Sequence, residues 1–366
     1  RACDQILQKV QLDFPDRQYV LMQELGGFIG PLSYYYAAQK NHFKHYFTEP
    51  AFFKGRLHFN RNSLDTVVDK QLLLAPEDKQ QVQTFVEKYL SDSSKNKTVV
   101  AAVKDRHHYL DMGFKKVFHA DNFKKLYMKM YNKYVLGHRQ EYEHIFNHSL
   151  RYLKMLVTRK RNSRFYTMSV SPEMAAAGYF YFPFHVQLDY SLTVRSPEYL
   201  DQIGLVEKIL QILPAGSRLL VKEHPASIGC LDYARTQGLL KNNNFVFMHP
   251  SVNSYDIIDK SCGVVTINSK VGAEAMALGK KVFAFGNAFY TDSGLVEKFQ
   301  SWLGLERFLQ KCVYSHVTAN VVEKNNSDLV QFLNLVWAQS SPSELYQNDP
   351  QNIKNFTDGF YNSIKG

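Results

Sequence analysis

The sequence predicts an α/β protein whose second half is a parallel sheet covered on both faces. From about residue 179, short runs rich in Val, Ile, Leu and Phe alternate with helical segments, as parallel strands joined by crossover helices do. The chain of 366 residues exceeds the usual size of a single core, so more than one domain is expected. Apolar residues make up 45% of it, enough material for two packed interiors.

Five apolar runs of the second half predict strands. They are YFYFPFHVQL, SRLLVKEHP, NFVFMHP, GVVTINS and KKVFAFG. Between them, the pair Ser196-Pro197 predicts the start of a helix through EYLDQIGLVEKILQIL, because proline is favoured at the first helical position. Further helices are expected near 228–239, over SYDIIDKS, and after TINS.

The first half is less regular. RQYVLMQEL predicts a buried strand, followed by the turn GGFIG and a helix beginning at PLSYYYAAQ; KTVVAAV predicts another strand. Residues 121 to 155 predict an amphipathic helical insertion, with Leu126, Met130 and Tyr134 on one face. We therefore expect an N-terminal α/β domain over 1–178 and a C-terminal nucleotide-binding type of domain over 179–340.

A third segment, 341–366, predicts a C-terminal helix that packs back on the first domain. Ile353, Phe356, Phe360 and Ile364 would form its apolar stripe.

The formal charge of +10 predicts an anionic partner: nucleotide phosphates, nucleic acid or an acidic lipid surface. Basic residues interleave with aromatics in two stretches, 42–61 and 151–168. Each is either a solvated basic face or a surface for an anionic acceptor or membrane. The four cysteines are scattered without metal or redox spacing, which favours a reduced, cytoplasmic setting.

The sequence has no apolar run near 18 residues and no signal peptide, so a spanning helix is not expected. The first residue is Arg1 rather than Met, and we expect the chain to be an excised fragment.

Polar side chains follow each of the five predicted strands of the second half. In open parallel sheets, ligands bind beyond the carboxyl ends of the strands, so these side chains predict one binding crevice. They are Asp189, Glu223, His224, Asn253, Ser254, Asn268, Ser269, Lys270 and Asn287.

Within VKEHP, Pro225 fixes the backbone as the strand ends and holds His224 pointing out of the sheet. A histidine there can donate to a phosphate or act as general acid to a leaving group. The alternative is a histidine satisfied by neighbouring backbone groups.

The segment NSKVGAEA predicts a helix with Ser269 as N-cap. The amides of Ser269 and Lys270 could hold a phosphate, because a helix N-terminus presents unpaired N–H groups. Gly272 would allow close approach, and Glu274 could accept from sugar or base hydroxyls. An ordinary capped helix is the alternative.

Two carboxylates are candidates for catalysis. Asp189 in HVQLDYSL could serve as base or covalent nucleophile, or be a turn residue that bonds its own backbone. Glu24 precedes the glycine turn in ELGGFIGP, where Gly26 and Gly27 could let an acceptor or donor pass close to the backbone. Glu24 has either a direct role or a buried, capping one.

At these residues the chain resembles the bacterial capsule and lipopolysaccharide glycosyltransferases that transfer 3-deoxy-D-manno-octulosonic acid (Kdo) from CMP-β-Kdo. The resemblance covers most of 180–295, and it is carried by QLDYS, VKEHP, NSYDII, TINSKVGAEAMALGKKVFAFGNAFY and the SGL that follows. More specifically, the chain is similar to the retaining β-Kdo transferase domains of larger proteins. The resemblance implies a GT-B fold, two Rossmann-like domains facing a cleft, and no metal requirement.

Carried over by position, the resemblance implies that Ser269 and its helix N-terminus hold the CMP phosphate, with His224 beside it and Glu274 toward the ribose. Asp189 would match a carboxylate in a Gln-x-x-Asp-Ser pattern, which is one residue shorter here. As a mechanistic hypothesis, the catalytic residues are Asp189 as nucleophile, His224 at the leaving phosphate and Glu24 as base for the acceptor hydroxyl. The set that binds the donor is Lys222, Glu223, Pro225, Asn253, Ser254, Asn268, Ser269, Lys270, Gly272, Glu274 and Asn287.

The expected partners are a nucleotide-sugar donor and an anionic or lipid-linked glycan acceptor, with association at the inner-membrane surface and no nucleic acid. Three alternatives stay open. Two are enzymes of the same fold: an inverting CMP-sialic-acid-type transferase and a sugar-nucleotide epimerase. The third is a basic protein that binds nucleic acid or a membrane surface without catalysis.

Overall fold

The computed structural model describes residues 1–26, 29–70, 79–80, 83–84, 119–138, 145–317 and 326–365. Within these, the strands are β1 Val20–Glu24, β2 Lys44–Pro50, β3 Arg56–Arg61, β4 Tyr179–Pro183, β5 Arg218–Lys222, β6 Phe245–Met248, β7 Gly263–Thr266, β8 Val282–Ala284, β9 Glu297–Lys298 and β10 Ser341–Pro342. The helices are α1 Ala2–Asp13, α2 Ile29–Lys40, α3 Ala120–Tyr134, α4 Ile145–Asn162, α5 Pro172–Ala177, α6 Tyr190–Thr193, α7 Gln202–Gln211, α8 Tyr233–Leu239, α9 Ser254–Asp259, α10 Lys270–Ala277, α11 Trp302–Val317, α12 Asn326–Ala338 and α13 Pro350–Lys365.

The larger sheet has the strand order β6-β5-β4-β7-β8-β9, and every pairing in it is parallel. Its side chains alternate between two cores, as the pleat requires. Tyr179 and Tyr181 of β4 enter one core, whereas Phe180 and Phe182 enter the other. The predicted α/β class and the sheet covered on both faces are therefore confirmed.

The smaller sheet has the order β1-β2-β3-β10. β1 and β2 are parallel, and β3 is antiparallel to both of its neighbours, β2 and β10. β1 is an edge strand in which exposed and half-buried residues alternate, so the predicted buried strand was wrong about burial. The predicted strand KTVVAAV, residues 97–103, lies outside the described residues.

The stretch 42–61, read from sequence as a basic, aromatic face, is largely the β2–β3 hairpin. Tyr46 and Phe47 are fully buried in it, and so is His45. A solvated face is therefore the wrong interpretation for this stretch, since its aromatics build the interior of the smaller sheet.

Helix α13 lies on that sheet. The ring of Phe360 contacts Tyr46 edge-on, with centroids 5.5 Å apart, and Phe356 lies 5.4 Å from Phe59. The Tyr46 hydroxyl donates to the carbonyl of Ser363 at 3.1 Å. The C-terminal helix α13 therefore packs on strands β2 and β3 of the smaller sheet.

Two helical predictions need correction. The helical stretch expected over 121–155 forms two helices, α3 and α4, with Tyr134 exposed on the first. The helix expected to start at Ser196-Pro197 begins only at Gln202. Residues 197–199 form a separate 3₁₀ turn, and Asp201 caps α7 by accepting a hydrogen bond from the Gly204 amide.

Contacts of the larger sheet extend N-terminal of the predicted boundary at residue 178. Thr167 pairs with Met248 beside β6. A Cβ on Gly229 would lie 2.9 Å from the Arg159 amide, which shows how closely the end of α4 packs there. Residues 155–178 therefore follow the larger sheet rather than the smaller one.

Candidate active site

The carboxyl ends of β4, β5 and β7 meet at the centre of the larger sheet. The chain crosses from β4 to β5 and β6 on one side, and to β7 and β8 on the other. The strand order reverses between β4 and β7, and crevices at such switch points are where open α/β sheets bind ligands. The loops 184–189 and 267–269 lie at this point.

His224 follows β5 and is exposed at the mouth of the crevice. Its Nδ1 accepts a hydrogen bond from the Ala226 amide at 3.1 Å. Desolvation, together with the nearby Lys222 ammonium, lowers the pKa of His224, and Asp189 opposes the shift. The neutral ring with an accepting Nδ1 must carry its proton on Nε2, so His224 presents an N–H donor on its other edge.

His185 is a site residue that the sequence analysis missed. It follows β4, is 7% exposed, and burial lowers its pKa to about 4, with His224 adding to the shift and Asp189 opposing it. Its Nε2 lies 3.5 Å from the Asn268 amide across the switch point. The sequence analysis treated His185 as part of the apolar strand run. Its position directly after FPF, where the strand ends, could have identified it as a candidate site residue.

Asp189 is exposed at the start of α6, and its Oδ2 accepts from the Ser191 hydroxyl at 2.6 Å. Its side chain makes no capping bond to the helix. Leu188 before it has φ +61°, a left-handed conformation that a branched residue rarely adopts. Strain of this kind concentrates at functional sites, and the negative charge of Asp189 acts on the pKa of both His185 and His224.

Asn268 connects the loops of the switch point. Its Nδ2 donates to the Ser191 carbonyl at 2.6 Å and to the Ser196 hydroxyl at 3.0 Å. Its Oδ1 is buried and has no hydrogen-bond partner among the described residues. Asn268 therefore fixes the segment that carries Asp189 rather than extending into open space.

The N-terminus of α10 has fewer open amides than the sequence suggested. The Ser269 amide donates to Thr266 Oγ1 at 3.2 Å, and the Val271 amide to Ser269 Oγ at 3.2 Å. The Gly272 amide donates to the Ser269 carbonyl. Among the described residues, the Lys270 amide is the remaining donor of this turn, so the predicted pair of amides is reduced to one.

Gly272 has a different role from the one predicted. A Cβ built on it would lie 2.7 Å from Cζ of Tyr290, whose ring is fully buried. The Tyr290 hydroxyl donates to the Ser269 carbonyl at 2.6 Å. The space beside Gly272 is thus filled by a tyrosine of the same chain, which corrects the prediction that it lets a ligand approach.

Lys270 reaches the smaller sheet. Its Nζ donates to the carbonyls of Pro50 and Ala51, at 2.8 Å and 3.3 Å. Burial lowers the pKa of Lys270, while the carboxylates of Glu49 and Glu274 act in the opposite direction. Its side chain links the two sheets at the edge of the crevice, and half-buried Glu274 lies one turn along α10.

Several predicted donor contacts are structural. Glu223 is 1% exposed, and its carboxylate accepts from the Tyr166 hydroxyl and, at 2.9 Å, from the Gly229 amide. Burial raises the pKa of Glu223 to about 7. This placement contradicts the prediction that Glu223 contacts the donor, because the side chain is enclosed below the strand end.

The loop before α9 is held internally as well. Lys222 is buried, and its Nζ donates to the Val252 carbonyl at 2.8 Å and to Ser254 Oγ at 2.6 Å. Asn253 caps α9 by accepting from the Tyr255 amide at 3.0 Å. These three predicted donor residues therefore shape the crevice wall, and Pro225 begins the 3₁₀ turn beside it.

A charged cavity of about 250 Å³ lies between residues 65–70 and the loop after β8. Its wall includes Arg195, Lys298 and Asp292, together with the exposed Asn287 that the sequence analysis had singled out.

On the smaller sheet, Glu24 is exposed at the end of β1, and its Oε1 accepts from the Tyr346 hydroxyl. Gly26 is half-buried just after it, and Gly27 lies outside the described residues. A second carboxylate, Glu49, was missed. It is the penultimate residue of β2, and its Oε1 pairs with Arg195 Nη2 at 2.8 Å.

The described residues contain no cluster of three or more His, Cys, Asp or Glu side chains that could hold a metal ion. None of the helices in the described ranges combines the length and apolar character needed to cross a bilayer.

A family model described as capsule polysaccharide biosynthesis protein matches residues 113–303. Among curated proteins, FixF of Sinorhizobium fredii is 29% identical over 146 residues, which are 39% of this chain and 34% of FixF. The match thus spans about a third of the length of FixF.

The solved structures that are similar to the chain include two transferase structures of one bacterial protein. The β-Kdo 2,4 transferase of Thermosulfurimonas dismutans KpsC is 12% identical with a TM-score of 0.48, over 92% of this chain and 85% of that one. The β-Kdo 2,7 transferase of the same protein is 14% identical with a TM-score of 0.43, over 99% and 90% of the two chains.

Proposed function

The chain belongs to the capsule polysaccharide biosynthesis protein family, and on that premise we propose that it is a glycosyltransferase. It moves β-Kdo from CMP-β-Kdo to a sugar acceptor of a bacterial surface polysaccharide, with retention of configuration. The donor is inferred from the likeness of residues 180–295 to CMP-Kdo-dependent transferases. The observation that carries the proposal is the meeting of His224, Asp189 and His185 at the switch point of the larger sheet.

His224 and α10 receive the leaving group. The neutral ring of His224 directs its Nε2–H outward, since Nδ1 is engaged by the Ala226 amide. The CMP phosphate gains negative charge as it departs, and a fixed donor beside a helix N-terminus stabilises that charge. The Lys270 amide is the backbone donor at this terminus.

Asp189 is the nucleophile. Its carboxylate attacks the anomeric carbon as the bond from that carbon to the phosphate oxygen breaks, and CMP departs with the electron pair. The acceptor hydroxyl then attacks the same carbon, which breaks the ester to Asp189 and inverts the centre a second time. Glu24, exposed at the carboxyl end of β1, takes the proton from the acceptor.

Metal chemistry has no step in this proposal, because His224 and the α10 N-terminus supply the stabilisation of the phosphate. CMP release should accordingly be unchanged by a chelator. Released nucleotide from CMP-Kdo, UDP-sugar and GDP-sugar donors gives the donor class directly, and NMR of the product gives its anomeric configuration.

Covalent catalysis is tested with Asp189→Asn and the matched control Glu198→Gln, an exposed carboxylate on the neighbouring 3₁₀ turn. We expect Asp189→Asn to lose CMP release by a factor of about 10³ or more, and the control to stay near the wild type. Intact-protein mass spectrometry with CMP-Kdo should detect a Kdo adduct on wild type and on the control, and none on Asp189→Asn. An active Asp189→Asn variant together with no adduct would contradict the nucleophile assignment.

A further inference from the structure

Glu223 is a buried carboxylate that the proposed chemistry does not use. It directly follows β5 and is 1% exposed, whereas His224, the next residue, is exposed. The backbone is still extended at His224, with φ −66° and ψ 135°, and successive side chains of an extended chain point to opposite faces. Holding the Glu223 side chain inside the protein therefore directs His224 outward.

The Glu223 carboxylate also closes the loop that His224 begins. Its Oε1 accepts from the Gly229 amide at 2.9 Å. Inside this loop, Nδ1 of His224 accepts from the Ala226 amide at 3.1 Å, and the His224 carbonyl accepts from the Ser227 amide at 2.9 Å. Glu223 thus holds the far end of the loop, and His224 lies at its near end.

Gly229, at that far end, packs tightly against helix α4. It has φ +83°, and a Cβ built on it would overlap the Met155 carbonyl oxygen and lie 2.9 Å from the Arg159 amide. Only glycine allows the loop to approach α4 this closely. The hydrogen bond from the Gly229 amide to Glu223 is buried, and without that acceptor the amide would be left unpaired at a cost.

A second donor fixes the other oxygen of the carboxylate. The Tyr166 hydroxyl donates to Oε2 of Glu223, and the Tyr166 ring packs on Phe247 of β6, with centroids 4.8 Å apart. A buried carboxylate is costly, and burial raises the pKa of Glu223 to about 7. An apolar side chain would fill the space without this cost, but it could not accept the two hydrogen bonds.

We propose that Glu223 is a positioning residue for His224: it holds the 224–229 loop so that the Nε2–H of His224 faces the leaving phosphate. This role rests on the proposed function, in which that N–H stabilises the charge of departing CMP. Glu223 touches no substrate itself, because its side chain is enclosed. A displacement of about 1 Å at a catalytic group can lower the rate by about 10²-fold.

Glu223→Gln and Glu223→Ala separate the hydrogen bonds of this side chain from its charge. Glutamine can accept from the Gly229 amide and donate to the Tyr166 oxygen, so kcat for CMP release should stay within about threefold of wild type. Alanine loses both bonds, and kcat should fall by about 10²-fold with a much smaller change in KM.

Tyr179→Phe is the matched control for a loss of buried hydrogen bonding. The Tyr179 hydroxyl donates to the Ile257 carbonyl at 2.6 Å, and Tyr179 is the first residue of β4, at the end of the strand opposite to the crevice. This variant should lower stability and leave kcat unchanged. An equal loss of kcat in Tyr179→Phe and Glu223→Ala would overturn the positioning role.

A double-mutant cycle tests whether Glu223 acts through His224. In the His224→Asn background, Glu223→Ala should change kcat by less than about twofold, because the group that Glu223 positions is already gone. Losses that multiply would overturn the proposal, and so would a folded Glu223→Ala variant with wild-type kcat.

An NMR titration of His224 tests its position without any nucleotide sugar. In protein with ¹³C-labelled histidine, the signal that is absent from His224→Asn belongs to this residue. Desolvation lowers the pKa of His224 below 6.5. Glu223→Gln should keep that pKa, and Glu223→Ala should bring it closer to 6.5 as the loop opens to water.

The titration separates the two proposals. If wild type releases no CMP, the proposed function fails, while the pKa of His224 still shows whether Glu223 holds the loop. The same pKa in wild type, Glu223→Gln and Glu223→Ala would overturn the positioning role. If Glu223→Ala does not fold, Tyr166→Phe, which removes one of the two hydrogen bonds, takes its place and should give a smaller shift in the same direction.

Discussion

Nη2 of Arg195 lies 2.8 Å from Oε1 of Glu49, in a pair that joins the segment after α6 to the end of β2. Both side chains are nearly buried, with exposures of 12% and 14%. Burial by itself would raise the pKa of Glu49, but Arg195 outweighs it and the net pKa is lowered. The two sheets are therefore joined by an ionised pair at the border of the crevice.

Glu49→Gln should destabilise the protein by about 3 kcal/mol, because it leaves the Arg195 charge buried with Asp65, at 3.4 Å, as its one remaining counter-charge among the described residues. Denaturant unfolding at pH 7 measures this. The free energy of unfolding of wild type should also fall as pH drops below 4.5, the ordinary pKa of the carboxyl. Glu49→Gln should lose that part of the acid sensitivity, and an unchanged slope would contradict the prediction.

Gly272→Ala should lower stability by about 1–3 kcal/mol, because the added methyl group overlaps the buried Tyr290 ring. Gly238→Ala is the matched control. Gly238 also lies in a helix, with nothing within 4 Å of its Cβ position, so alanine should be neutral or stabilising by up to about 1 kcal/mol. A Gly272→Ala variant with wild-type stability but a raised KM would instead support ligand approach.

The larger sheet was predictable because its strands are continuous apolar runs, and the polar residues at their ends were predictable from the rule for parallel sheets. Contacts between residues that are distant in the sequence were not predictable. Gly272 and Tyr290 are brought together by packing between a helix and a loop. The spacing of small residues within the helix does not predict which side chain packs against them. Glu49 and Arg195 are 146 positions apart, and neither stands out in its local sequence.

His185→Gln should make the protein less sensitive to acid. Burial lowers the pKa of His185 from 6.5 to about 4, so the unfolded chain binds its proton at a higher pH than the folded one. Stability is then complete above 6.5 and falls toward pH 4, by about 3 kcal/mol for this group.

Unfolding free energies at pH 7 and pH 5 measure the His185 effect. His45 of β2, whose pKa burial also lowers to about 4, should contribute a similar loss, so His185→Gln should remove only part of the wild-type difference. If the pH 7 to pH 5 difference is the same in wild type and in His185→Gln, the assignment to His185 is wrong.

His224→Asn should separate the structural role of this histidine from its chemical one. The amide oxygen of asparagine can replace Nδ1 as the acceptor for the Ala226 N–H, so stability should stay within about 0.5 kcal/mol of wild type. The donor at Nε2 is lost, and CMP release from CMP-Kdo should fall by about 10²–10⁴-fold. His224→Ala should lose both properties.

Because the pKa of His224 is lowered below 6.5, wild-type activity should persist at pH 6.5 and decline only under more acidic conditions, where protonated Nδ1 would oppose the Ala226 donor. A His224→Asn variant within twofold of wild-type activity would remove His224 from the proposed mechanism.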